Sequence, residues 1–193
     1  MTITNGYCSL AELKVNLDIA AVTTYDTNLE NLIENVSRWI DNYTNRKFYA
    51  TTASKYYTAQ TPRRVKIDEL LTITTLKTDE DLDGVYEALW TANDFKLFPY
   101  NDTPYTYIEI TPYGNKAFYP GLPRSIEVTG SFGYASTTPE DIERVCILQS
   151  SRTWARRTNP LGIAGTTQFG LVKLVGDVDP DVMLMLRPYI KYT

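Results

Sequence analysis

Apolar residues near the start of the chain recur at helical spacing behind a signature for a helix N-terminus. Ser9 and Glu12 form the capping-box pattern, in which the hydroxyl accepts from a free backbone N–H and the carboxylate reaches back to the cap. Leu10, Leu13 and Leu17 follow at intervals of three or four residues. We therefore predict a short amphipathic helix that begins just after Ser9.

A longer amphipathic helix is predicted directly after the short one. Thr27 and Glu30 repeat the capping-box spacing and predict a second helix start. Six apolar or aromatic residues then share one stripe at the 3.6-residue period: Leu29, Leu32, Ile33, Val36, Ile40 and Tyr43. Polar residues such as Arg38 and Asp41 lie off this stripe. We expect the stripe to pack against a partner surface.

The composition changes between about residues 50 and 134, where Tyr, Thr, Val and Ile increase and turn residues recur at short intervals. This pattern is typical of short strands separated by turns, and we predict small antiparallel sheets and hairpins. The candidate strands are Lys55 to Thr58, Arg63 to Ile67, Thr72 to Thr78, Val85 to Trp90, Phe95 to Phe98, Thr106 to Ile110 and Ser125 to Phe132.

Helical signals return after this β-rich stretch. Thr138 is followed by a proline and two acidic residues. The hydroxyl can cap a helix, proline is favoured at the first helical position, and the acidic residues lie near the positive end of the helix dipole. Pro160 is expected to end this helix. Leu161 to Val178 has no clear period and is predicted to be a long connection. Asp179-Pro180 then caps a last short helix that ends near Pro188.

Together these patterns predict an α+β fold in one domain, 1–193. It consists of a mainly helical body of about four helices, residues 8–48 and 138–190, with an inserted antiparallel β-rich region at about 50–134. With 193 residues and 43% hydrophobic content, the chain can bury a substantial core.

Composition also narrows the function classes. The chain has no histidine, which removes the commonest general base and metal ligand and excludes Ser-His-Asp and Cys-His nucleophiles. A formal net charge of −4 argues against a module that grips nucleic acid by neutralising phosphates. No apolar run approaches the roughly 18 residues of a membrane span, and we expect a chain that is cytosolic at synthesis. Cys8 and Cys146, placed in two helical segments without a spacing motif, are interpreted as buried reduced thiols.

One acidic segment has partial metal-site character. Asp79, Asp81, Asp83 and Gly84 form D-x-D-x-D-G, the first half of a calcium loop. Trp90 stands where the closing bidentate glutamate would be, so we favour a solvated hairpin tip that needs no calcium. The sequence therefore predicts no catalytic, cofactor-binding or metal-binding residues.

The fifteen tyrosines allow a sugar-binding or base-stacking interpretation. We favour packing and protein contacts, because the tyrosines lie in or beside candidate strands, where aromatics are enriched. Those residues are Tyr56, Tyr57, Tyr86, Tyr105, Tyr107, Tyr113, Tyr119 and Tyr134. The basic pairs Arg46-Lys47, Arg63-Arg64 and Arg156-Arg157 are dispersed, which suggests a solvated face or ion pairs between chains more than a phosphate groove.

Six segments in succession resemble the head-to-tail connector proteins of tailed bacteriophages, also called adaptor or head-completion proteins. The segments are CSLAELKVNLDI, SRWIDNYTNRKFY, LLTITTLKTDEDLDGVYEALW, GLPRSIEVTGSFGY, PEDIERVCILQSSRTWARR and DPDVMLMLRPYIK. The resemblance implies a non-enzymatic virion protein of the phage neck, which forms a ring of usually twelve subunits beneath the portal protein. It implies a portal partner, a downstream stopper or tail-joining protein, and DNA that passes through the lumen without specific binding.

Alternatives remain at this level. A stopper or tail-completion protein of the neck is one, and a β-rich carbohydrate or surface-binding module is another from a different class. For a neck protein, the location is the head-tail interface of the virion, and the host cytoplasm before assembly. We further expect Leu161 to Val178 and the last helix, Pro180 to Arg187, to be mobile in the free subunit and to become ordered on assembly.

Overall fold

The computed structural model describes residues 3–112, 114–157, 163–167, 170–173 and 178–192, with the backbone alone for 163–167 and 170–173. The chain divides into two compact units. The helical unit comprises Met1–Arg46 and Thr138–Thr193, and the sheet unit comprises Lys47–Thr137. That both units form a single connector domain stays a prediction.

The helical unit contains four α-helices, one 3-10 helix and a two-stranded hairpin within the described ranges. Its helices are α1 (Leu10–Asn16), α2 (Asp26–Thr44), α3 (Glu140–Arg156) and α4 (Pro180–Leu186), followed by the 3-10 helix Arg187–Tyr189. The hairpin strands, numbered last in chain order, are β7 (Ile163–Thr167) and β8 (Gly170–Lys173), which pair antiparallel. None of the helices in the described ranges is long and apolar enough to cross a membrane.

The core of the helical unit combines residues from both ends of the chain. The predicted stripe of α2 is confirmed for Leu29, Ile33, Val36 and Ile40, which are buried, whereas Leu32 and Tyr43 are half-buried. The other fully buried apolar side chains among the described residues of this core are Tyr7, Leu13, Ile142, Val145, Cys146, Val182 and Leu186. The helices therefore share one apolar interior although the sheet unit separates them in sequence.

Two of the four predicted helix caps are confirmed. Ser9 and Glu12 form a capping box at α1, and the Asp179 carboxylate accepts from the Asp181 amide at α4. The predicted cap at Thr27 is wrong, because the N-cap residue is Tyr25 and α2 already begins at Asp26, whose carboxylate pairs with Lys14 Nζ at 2.8 Å. These contacts favour negative charge at the positive helix end.

The predicted hydroxyl cap at Thr138 is also wrong. Pro139 is the N-cap residue of α3, in an extended conformation and without a side-chain cap hydrogen bond. Three acidic residues occupy the first turn instead: Glu140, Asp141 and Glu143. Their charge interacts favourably with the free N–H groups of that turn.

The sheet unit is built on one antiparallel sheet. Its strands are β1 (Thr51–Tyr57), β2 (Arg64–Thr78), β3 (Ala88–Leu89), β4 (Phe95–Phe98), β5 (Tyr105–Ile110) and β6 (Ile126–Phe132). The order across the sheet is β1-β6-β2-β5-β4, and β3 pairs with β2 beside this path. The prediction for Phe95–Phe98 agrees at both ends, and β1, β5 and β6 agree within a few residues.

The separate strands predicted at 63–67 and 72–78 are wrong, because they form the single 15-residue strand β2. Its first part pairs with β5 and its second part with β6, and Leu70 lies opposite Tyr105 on one side and Phe132 on the other. Register shifts follow Lys66 and Leu70, so the strand changes partner through bulges without ending. The sequence suggests a break here because the change of partner leaves no simple alternation.

The predicted strand at 85–90 is reduced to the two residues of β3. The backbone amides before it bond to aspartate carboxylates of the β2–β3 loop, which leaves few residues free to pair with β2. Inside the unit, the core is Ala59, Val65, Ile67, Leu70, Leu76, Trp90, Phe95, Ile108, Phe118, Ile126, Val128 and Phe132.

The fold class is α+β, as predicted, but the expected mainly helical character is wrong. Among the described residues, the helices and the eight strands have comparable weight. The difference arises in the middle of the chain, where β2 is one long strand connecting both halves of a continuous sheet.

Candidate functional site

The acidic segment at 79–84 forms a closed loop between β2 and β3. Asp79 is only 3% exposed, and its carboxylate accepts from the Leu82 amide at 2.7 Å and from the Gly84 amide at 3.0 Å. Gly84 has φ +91°, a conformation that side chains disfavour. Asp83 Oδ1 accepts from the Val85 amide at 2.8 Å. Asp79 thus closes the turn by satisfying backbone donors.

The loop also brings three carboxylates together, although not the three that the motif predicts. Oxygen atoms of Asp79, Asp81 and Glu87 lie within 4.8 Å of one another. Asp83 is outside that group. Trp90, at the place of the missing glutamate, is buried, and its indole N–H donates to Thr78 Oγ1 at 3.0 Å. The Asp79 carboxylate already accepts hydrogen bonds from two backbone amides, and the loop is closed by them. That the loop needs no metal stays our prediction.

The two cysteines meet inside the helical unit. Cys8 Sγ and Cys146 Sγ are 3.4 Å apart, and both thiols are free and buried. Cys146 lies within α3 as predicted, whereas Cys8 lies just before the α1 cap and not in a helix. The contact between them, across 138 positions, had no spacing signal in the sequence.

The thiol pair is electrostatically asymmetric. The hydrogen bond from the Cys8 thiol lowers the pKa of Cys146. The same hydrogen bond, together with burial, raises the pKa of Cys8 far above its usual value. The Ser37 hydroxyl lies 3.7 Å from Cys146 Sγ. The contact between the two thiols therefore acts in opposite directions on their pKa values.

A groove of about 380 Å³ opens between α1 and α3. It is lined by Ala11, Glu12, Val15, Asn16, Arg144 and Ile147. Val15 is 65% exposed although it is a β-branched apolar residue in a well-capped helix. Beside the groove, burial and the neighbouring Glu12 charge raise the pKa of Glu143. The sequence held one signal for this surface: Val15 stands off the Leu10-Leu13-Leu17 stripe.

Aromatic side chains of the sheet unit pack on each other and on arginines of the same chain. The Arg64 guanidinium lies over the Phe98 and Tyr107 rings, 4.7 and 4.1 Å from their centroids, and Nε pairs with Glu109 at 3.0 Å. Burial raises the pKa of Tyr57. These contacts agree with the packing interpretation of the tyrosines; Tyr113 lies outside the described residues.

Two further basic side chains also have partners within the chain. Arg124 lies over the Tyr56 ring at 5.0 Å. At the end of α3, Arg157 lies 3.8 Å from the Trp154 ring centroid and 4.9 Å from that of Tyr25. Cation–π contacts account for these positions without a bound phosphate.

Exposed apolar side chains recur at a few places in each unit. In the sheet unit, Leu82, Val85 and Leu89 are exposed around the β2–β3 loop. In the helical unit, Leu184 on α4 is 68% exposed. Together with Val15, these residues form part of the apolar surface available for contacts with other chains.

The long connection at 161–178 contains β7 and β8, so the expectation of an irregular segment is wrong for those strands; 161, 162, 168, 169 and 174–177 lie outside the described residues. The expectation that α4 finds contacts only on assembly is also wrong. Val182 and Leu186 are fully buried, and Asp179 pairs with Arg152 at 3.0 Å. The helix therefore belongs to the core of the helical unit.

The sequence matches no protein-family model and has no significant match among curated proteins. Several solved structures share its fold. A chain in the neck of an empty gene transfer agent particle with C6 symmetry aligns with a TM-score of 0.65 and 18% identity, over 100% of this chain and 94% of that chain. A chain in the neck of a native particle with C12 symmetry gives 0.61 and 16% identity, over 100% and 93%.

A chain in the virion of the native gene transfer agent particle aligns with a TM-score of 0.60 and 16% identity, over 100% of this chain and 94% of that chain. All three alignments span both units. The resemblance to head-to-tail connector proteins is thereby confirmed at the level of the fold: this chain has the fold of a subunit of a phage-like particle neck.

Proposed function

We propose that this protein is a structural subunit of the neck of a tailed phage or phage-like particle, and that it forms the adaptor ring between portal and tail. One observation carries the proposal: the alignment with neck chains covers this whole chain and more than nine tenths of theirs. Neither unit is left over for a separate activity.

The proposed ring has twelve subunits, which agrees with the C12 symmetry of one neck that the fold matches. A closed ring of identical chains is built from heterologous contacts, in which two different surfaces of each subunit meet. The groove with Val15, the β2–β3 loop with Val85, and Leu184 on α4 supply exposed apolar side chains for such contacts.

The proposed partners are the portal protein on one side and a stopper or tail-joining protein on the other. DNA would pass through the lumen without specific binding. Twelve copies at −4 each carry a formal charge of about −48, and a net negative ring repels the phosphate backbone. The head-tail interface of the virion is the proposed location, after a stage in the host cytoplasm.

We also propose that the protein is not an enzyme. The absence of histidine removes the usual base for a serine or cysteine nucleophile. Within the described residues, the two buried thiols, Cys8 and Cys146, contact each other, and the buried Asp79 carboxylate accepts hydrogen bonds from backbone amides. Turnover of a glycan that is lost on replacing a pair of carboxylates would contradict this part of the proposal.

Mass measurement of the purified full chain, alone and mixed with assembled portal, tests the proposal. We expect a complex of one portal with twelve copies of this chain. A chain that never binds the portal but binds a preformed adaptor-portal complex would be a stopper. A monomer that ignores both, and that binds a glycan, would instead be a surface-binding module.

The groove offers a matched pair of variants for the same experiment. Val15→Asp introduces a charge at an exposed position and should leave the circular dichroism spectrum unchanged while reducing ring formation at least tenfold. Val15→Thr keeps the side-chain shape without a charge and should assemble nearly as the parent does. Equal assembly of both variants would exclude the groove from the ring contacts.

A further inference from the structure

The sulfur atoms of Cys8 and Cys146 are close enough to bond after a small movement. They are 3.4 Å apart, whereas a disulfide joins sulfurs at about 2.05 Å, so the gap to close is roughly 1.4 Å. Cys8 lies in the segment just before α1, and Cys146 lies within α3. Rotation of the Cys8 side chain and a slight shift of its segment can supply this distance.

We propose that Cys8 and Cys146 are a disulfide-forming modification site, reduced while the chain is in a reducing medium and joined by a two-electron thiol oxidant. In the reaction, the two sulfurs lose two electrons and both thiol protons, and one Sγ–Sγ bond forms. A diazene oxidant such as diamide takes up both electrons and both protons, and its N=N bond is reduced to a hydrazine N–N bond.

The reaction proceeds in two steps. The thiolate of one cysteine adds to one nitrogen of the diazene, and the other nitrogen takes up a proton. The sulfur of the second cysteine then displaces the hydrazine from that adduct and forms the protein disulfide. Since Cys8 is 6% exposed and Cys146 fully buried, the reaction requires a local opening and should be slow.

The position of the bond in the fold gives it a specific effect. The helical unit is assembled from two segments, Met1–Arg46 and Thr138–Thr193, which the whole sheet unit separates in sequence. A Cys8–Cys146 bond would link those segments across 138 positions. Cross-links that close long loops restrict the unfolded chain most, so the oxidised helical unit should resist unfolding more strongly.

The test uses the full-length protein, incubated with diamide until the number of free thiols is constant, and in parallel refolded from denaturant in a glutathione redox buffer. We expect intact mass to fall by two hydrogens, and peptide mapping to recover Cys8 linked to Cys146. The melting temperature should rise by about 5–10 °C and return to its original value with dithiothreitol. The circular dichroism spectrum should not change.

Cys8→Ser and Cys146→Ser are the controls, and Cys8→Ala serves if a serine variant fails to fold. Each should show the same melting temperature with and without oxidant. Two results would overturn the proposal: both thiols remain free for alkylation after both treatments, or the linked protein is found only as a misfolded or intermolecular product. A bond that forms without any gain in melting temperature would overturn its stabilising role.

Discussion

Trp90 lies flat against Phe118 in the core of the sheet unit. The two ring centroids are 4.6 Å apart, the ring planes differ by 12°, and both side chains are buried. The indole N–H donates to Thr78 Oγ1, so the polar end of the tryptophan is satisfied as well. The stacking packs the segment after β3 on the β5–β6 connection, and the hydrogen bond to Thr78 joins it to β2, although β3 itself has only two residues.

Trp90→Ala should lower the free energy of unfolding by about 3–5 kcal/mol, because it removes a buried ring and leaves a cavity beside Phe118. Chemical denaturation followed by far-ultraviolet circular dichroism measures the change. Leu89→Ala is the matched control, since Leu89 is its neighbour but 55% exposed, and should stay within about 0.5 kcal/mol of the parent. Similar losses in both variants would contradict the described packing.

Gly130 in β6 should not tolerate a side chain. A Cβ there would overlap the Thr72 carbonyl oxygen of β2, in the region where the register of the two strands shifts. Gly130→Ala should therefore destabilise the protein by about 2–3 kcal/mol or more. Gly114→Ala is the control, because its nearest atoms would be at an ordinary 3.6 Å. Denaturant midpoints of the parent and the two variants measure the difference. An unchanged midpoint in Gly130→Ala would contradict the described pairing of β2 with β6.

Two leucines of α4 differ in burial and should differ in their effect. Leu186 is fully buried and Leu184 is 68% exposed. Leu186→Ala should cost about 2–5 kcal/mol of stability, whereas Leu184→Ala should change it by less than about 0.5 kcal/mol. Thermal and chemical unfolding of the free subunit test this. If the free subunit shows rapid amide exchange throughout α4, the helix does not belong to the core.

Asp79 should matter for stability and not for calcium. Asp79→Ala removes an acceptor from two backbone amides of a closed loop and should cost about 1–3 kcal/mol. Asp83→Ala removes one exposed acceptor and should cost less. Neither excess calcium nor a chelator should shift the melting temperature of the parent. A calcium-dependent rise that disappears in Asp81→Ala would show that the loop is a cation site.

The capping box of α1 should give a defined pH dependence. Hydrogen bonds from the Ser9 side chain and backbone lower the pKa of Glu12 below its usual 4.5. Its stabilising effect is therefore complete above about pH 4.5 and is lost as pH falls through the lowered value in the folded state. Glu12→Gln should be less stable than the parent near neutral pH and equal to it in acid. Unfolding free energies measured across that pH range test this prediction. In a Ser9→Ala background, the stability difference caused by Glu12→Gln should change less over the same range.

The elements with local signals were predictable from the sequence. Two local patterns predict a helix start within a few residues: Ser9 with Glu12, and Asp179 with the following proline. The apolar stripe of α2 predicts which face of that helix is buried. Features that depend on distant partners were not. The continuity of β2 through Leu70 depends on two different neighbouring strands, and Asp26, the first residue of α2, pairs with Lys14 of α1.

The same distinction applies to the candidate sites. A partial calcium motif can be read from Asp79 to Gly84, but only the fold shows that Asp79 faces inward and holds amides. The contact of Cys8 with Cys146 has no local signal at all. Val15 lies off the Leu10-Leu13-Leu17 stripe, but that position alone does not predict a groove.

Within the sheet unit, the chain arrives and departs side by side: the Tyr134 amide donates to the Lys47 carbonyl at 2.8 Å. Because the two ends of the inserted unit lie next to each other, the flanking segments need no extra residues to connect to it. Genes for such proteins can therefore gain, lose or exchange the inserted unit while the flanking helical segments keep their own core. Chains of this fold with the same helices and very different middle regions are the expected evolutionary result.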